Sequence, residues 1–214
     1  IFENTIGNGV KLATGTINAP TEFSGFQIGR SDVPASGTTG IGIFGNGVSD
    51  VVISQTDVNF SKGDGIFLQD LTGPVVIRGS VINNTGNINT GISGLHVLGG
   101  SGKVVFGDDT VSGNQGKIIN SGGQALLVDS TLATSTLTLT DAEILDTLGE
   151  GILLNQANGL IAIGDATINS SSVTGIDIQG GGANINFLGT VKVDDATGDS
   201  INIQDTLAAS TVTF

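Results

Sequence analysis

The sequence predicts an all-β solenoid (β-solenoid) of about eight rungs, each made of three short strands, and three observations carry that prediction. The first is a repeat in which a Gly or other residue opens an apolar–x–apolar segment. It reads Gly9-Val10-Lys11-Leu12, Gly40-Ile41-Gly42-Ile43, Gly65-Ile66-Phe67-Leu68, Gly94-Leu95-His96-Val97, Gln124-Ala125-Leu126-Leu127, Gly151-Ile152-Leu153-Leu154, Gly175-Ile176-Asp177-Ile178 and Ser200-Ile201-Asn202-Ile203. The openings lie 31, 25, 29, 30, 27, 24 and 25 residues apart, a period expected of a coil of three short strands with turns. The second observation is a further alternating pair in every repeat. The third is composition: 35 Gly, 3 Pro, and neither Trp nor Tyr, which suits thin stacked layers and tight turns.

Taken in order, each opening strand is followed by a second one: Phe26/Ile28, Val51/Ile53, Val75/Ile77, Val104/Phe106, Leu137/Leu139, Ile161/Ile163, Ile185/Phe187 and Val212/Phe214. A third, shorter strand is expected at Val58, Ile82, Val111, Ile144, Ile168 and Val191. Alternation with a period of two places each named pair on one face. In a coil of parallel strands that face is the interior, where like residues stack from rung to rung. With strands spaced by ~4.8 Å, eight rungs extend about 38 Å. Segments 13–25, 29–39, 85–93, 112–123 and 129–136 exceed a minimal turn and are expected to protrude. No composition break divides the chain, so residues 1–214 read as one domain.

Charge narrows the partners. Twenty Asp and Glu against seven Lys and Arg give a net charge of −13, which repels a phosphate backbone and argues against nucleic acid. The same balance makes divalent cations plausible partners. There is no Cys, hence no disulfide framework. No apolar run is long enough to span a bilayer as a helix. The chain also has no Met, which reads as a processed product or an excised segment.

Through its G-I-x-I, V-x-I and I-x-N rungs nearly the whole chain resembles the right-handed parallel β-helix, the pectate-lyase-like superfold of many bacterial secreted and surface proteins. The resemblance implies right-handed winding and an extracellular or cell-surface location. It also raises polysaccharide chemistry. Pectate lyases of this fold carry an acidic Ca²⁺ cluster and a basic residue on outward strand faces. Here the outward positions of the first strands read Lys11, Gly42, Phe67, His96, Leu126, Leu153, Asp177 and Asn202, with no acidic group beside a basic partner. Polygalacturonase-like hydrolases need several close Asp residues, and the doublets Asp108-Asp109 and Asp194-Asp195 fit turns. His96, the single histidine, should face outward without a nucleophile near it. No catalytic residue is assigned, and no enzymatic activity is expected.

Two further patterns compete with simpler readings. Asp108, Asp141 and Asp165 each follow the second strand's last apolar residue by two positions. Stacked carboxylates repel, which a bound Ca²⁺ would relieve; the alternative is a solvated acidic edge. The calcium-binding G-G-x-G-x-D core is absent. Asn59, Asn83 and Asn169 end third strands and form N-x-S/T sequons, but the repeat itself generates these, and stacked Asn ladders are the favoured reading.

Function is expected to be structural: an extracellular stalk, adhesin shaft or filament subunit, with a polysaccharide-binding or polysaccharide-degrading protein as the alternative. Against sugar binding stands the lack of Trp and Tyr platforms. Against ice binding stands the interruption of Thr136-Leu137-Thr138-Leu139-Thr140 by Val, Ala and Asn in other rungs. Phe67, Leu126 and Leu153 on first strands, with Val52, Val76 and Val105 on second strands, form outward apolar strips. Either protruding loops or another chain would cover them. The segment around Phe2 has the phase of a third strand, and the chain finishes through Val212 and Phe214 in a second strand. Head-to-tail stacking of copies would continue the coil.

Overall fold

The computed structural model describes residues 6–13, 21–29, 37–83, 85, 92–108, 115–208 and 210–214. Its strands form three parallel sheets, two of eight strands and one of seven. The first sheet runs from Val10–Ala13 to Ile201–Gln204, the second from Thr21–Ser24 to Thr211–Thr213, and the third from Gln27–Ile28 to Val191–Asp194. Each sheet takes one strand from each successive turn, so every strand pairs only with its counterparts one repeat before and after. This is a parallel β-helix, consistent with right-handed winding.

Stacked columns fill the interior. In the first sheet Val10, Ile43, Ile66, Leu95, Leu126, Ile152, Ile176 and Ile201 lie in register. In the second, Ile53, Ile77, Phe106, Leu139, Ile163 and Phe187 do so. In the third, Val58, Ile82, Ile118, Ile144, Ile168 and Val193 align. The middle members of all three columns are almost wholly buried, and β-branched residues dominate them because they suit a pleated, packed surface.

The small residue opening each rung has a steric cause. A Cβ placed on Gly42, Gly65, Gly94, Gly151 or Gly175 would collide with Val58, Ile82, Ile118, Ile168 or Val193 of the third sheet, respectively. The chain therefore enters the first sheet pressed against the β-branched residue that the same turn later places in the third sheet. Ala125 occupies the same position in its rung. The corner after the first sheet has another device. Asp70, Ser130, Gln156 and Asp205 adopt left-handed φ between 49° and 53° at the positions where other rungs use Gly47, Gly99 and Gly180.

Several registers differ from the expected ones. Ile43 pairs with Ile66, so Gly42 rather than Gly40 matches Gly65, and Phe44 stands outward. Leu126 pairs with Leu95 and Ile152 and is 1% exposed. It belongs to the core, and Leu127 takes the outward place. In the first rung the second-sheet strand is Thr21–Ser24 with Phe23 against Ile53, whereas Ile28 pairs with Val58 in the third sheet. Ile118, within Gly116–Ile119, fills the third-sheet position expected near Val111, which lies outside the described residues. Val193, not Val191, stacks on Ile168. Of the segments expected to protrude, 13–25 contains the strand Thr21–Ser24 and 112–123 contains Gly116–Ile119.

Candidate functional site

The outward column of the first sheet reads Lys11, Phe44, Phe67, His96, Leu127, Leu153, Asp177 and Asn202. Strand register brings its aromatic rings together. Phe44 and Phe67 lie 5.6 Å apart at a tilt, and Phe67 stacks on His96 at 4.6 Å. Phe67 and Leu153 are half-buried, as is Leu127. Such rings in contact along the axis cover one another's faces and stabilise the outer surface of the sheet.

His96 has a defined electrostatic partner. Its Nδ1 lies 3.2 Å from Asp64 Oδ2, while Asp64 Oδ1 accepts a 2.7 Å hydrogen bond from the Ser93 backbone N–H. The turn preceding the strand Ile66–Gln69 supplies the carboxylate, and the next rung supplies the imidazole. With Nδ1–H donating to Asp64, the Nε2 lone pair is left inward of the surface, buried and without a hydrogen-bond partner. The pair orients the ring; among described residues no hydroxyl or thiol nucleophile bonds to it. Asp64 is the functional-type residue that strand alternation overlooked, because it sits in a turn two positions before Ile66.

At the far end of the same column Asp177 is buried despite its outward position. Its Oδ1 accepts from Asn202 Nδ2 at 2.9 Å, and its Oδ2 accepts from Gln179 Nε2. Two charge-assisted bonds compensate the carboxylate for lost water.

In the second sheet Val52, Val76 and Val105 stand in register and half-buried, followed by Thr138, Ala162, Asn186 and Thr213. The outward valine strip is thus a continuous feature of three rungs. Where it gives way to smaller and polar residues, a groove of about 320 Å³ opens, lined by Thr138, Thr140, Ala162, Asp165 and Leu188.

The three aspartates read as a Ca²⁺ column are each engaged separately. Asp108 lies 3.9 Å from Arg78, Asp141 Oδ1 accepts from Gln115 Nε2 at 3.1 Å, and Asp165 Oδ1 accepts from the Thr190 N–H at 2.7 Å. No group of three or more His, Cys, Asp or Glu side chains among the described residues is arranged to hold a metal ion. The Asn ladder is partial. Asn59 and Asn83 are in register, but Ile119 and Leu145 follow them before Asn169.

The last rung presents core-type side chains at its face: Ile203 is 42% and Phe214 76% exposed. Phe214 stacks on Phe187 with centroids 4.8 Å apart and planes 3° from parallel. Val212 pairs back onto Ile185 only. Phe2 lies outside the described residues. No helix among the described residues is long and apolar enough to cross a membrane.

The fold and these columns define the class: a parallel β-helix repeat protein. No protein-family model matches the chain, and no curated protein matches it. Among solved structures, that of the Agl-KA catalytic domain aligns over 98% of this chain and 48% of its own, at 13% identity and a TM-score of 0.28. The chain therefore spans about half the length of that domain.

Proposed function

We propose that this protein is a non-enzymatic structural solenoid that acts outside the cell or at its surface, as a stalk, adhesin segment or filament subunit continued end to end by another copy. The observation that supports this reading most directly is the continuous parallel pairing of all three sheets through seven successive turns, with two of the sheets extending into an eighth. Such a body is a rigid spacer, since every rung is fixed by its two neighbours. The open face of the last rung, with Ile203 and Phe214 exposed, supports continuation, because apolar surface and unpaired strand edges favour a further layer. The valine strip of the second sheet offers a second, lateral contact. The experiment is concentration-dependent sizing of the protein by analytical ultracentrifugation, with electron microscopy of the heaviest species. Rods lengthening with concentration support the reading; a monomer at every concentration overturns the end-to-end contact.

The alternative is a polysaccharide-binding or polysaccharide-degrading protein. The groove beside Thr138, Ala162 and Asp165 is the feature that favours it. Saturable binding on a glycan array, or release of unsaturated uronides from pectin, would reverse the order of the two readings. A Ca²⁺ ion at the acidic edge formed by Asp108, Asp141 and Asp165 remains part of the proposal only as a stabilising ligand, and a chelator titration followed by thermal unfolding tests it.

A further inference from the structure

We draw no further inference here: the strongest candidate, the Asp64–His96 pair stacked beside Phe67 on the outer face of the first sheet, joins a carboxylate to an imidazole whose Nε2 is buried without a partner, but nothing in the structure shows what covers it.

Discussion

Replacing Gly94 with Ala while also truncating Ile118 tests the packing logic of the coil directly. Gly94 does not have a left-handed φ, so Ala carries no backbone penalty there and its cost is steric. The new Cβ would strike Ile118 Cγ2 and lie 2.8 Å from the Ala125 carbonyl oxygen. Overpacking of this kind costs about 1–3 kcal/mol. Ile118→Ala alone removes a fully buried side chain between Ile82 and Ile144 and should cost about 2–5 kcal/mol. In the double variant the added methyl occupies space vacated by Ile118, so the Ile118 clash disappears while the approach to the Ala125 carbonyl remains. The two effects should therefore sum to less than their separate values, with a coupling of about 0.5–3 kcal/mol. Urea unfolding of the four proteins measures this through the midpoints, provided the slope stays constant across the series. Strict additivity would refute the contact and, with it, the explanation of why rungs open on small residues.

Other perturbations probe separate features. Burial raises the Asp57 pKa above its ordinary value of 3.8, so the folded state binds a proton more tightly than the unfolded one. Stability should then increase as pH falls from neutral through the folded-state pKa, and level off below the unfolded value. Asp57→Asn should raise the melting temperature at pH 7 and leave it unchanged near pH 3; an equal shift at both pH values contradicts that linkage. Gln156→Gly relieves a left-handed residue at φ 49° and should add up to ~1 kcal/mol after glycine's entropic cost, measured by thermal unfolding. Val212→Lys, by placing an unpaired charge in an end-to-end junction, should abolish rod growth in sedimentation without unfolding the monomer; rods of undiminished length argue for another mode of contact. Val76→Asp should lower particle size if the outward valine strip joins copies laterally, and leave it unchanged if the strip is only the protein's own surface.

The fold was legible in the sequence because the rungs repeat two signals together: a small opening residue and an apolar alternation. Registers were less legible, for reasons that differ by site. A shift of two residues preserves which face a side chain occupies, so Ile41/Ile43 and Ile43/Gly45 look alike until Ile43 is seen beside Ile66. Leu126-Leu127-Val128 is apolar on both faces, and alternation cannot choose between them. Phe26/Ile28 has the pattern of a second strand, but Phe23 already fills that place and Ile28 continues the third sheet. At the candidate surface, alternation points to Phe67, Leu153 and the three valines, whereas the outward places of Phe44 and Leu127 depend on the pairing register of the first sheet. The signal for Phe44 is the glycine's steric role, which aligns Gly42 with Gly65 and so sets Phe44 beside Phe67. Asp64 had no such signal: its bond to His96 joins a turn to the next rung across 32 residues, and no local pattern encodes that distance.

The way hydrogen bonds run in this coil determines how it would respond to force. They point along the axis, from rung to rung, so a pull on the two ends loads all the bonds of one interface together rather than sliding strands past each other. The rod would part at its thinnest seam. Between the first and second rungs the third sheet contributes only Gln27–Ile28 against Asp57–Val58, whereas Ala142–Thr147 and Ala166–Ser171 meet along six-residue strands farther on. Among the described residues the last turn is held by fewer bonds still, since Ile201–Gln204 and Thr211–Thr213 pair back without a third-sheet strand beside them, so tension would open an outer turn while the central turns hold.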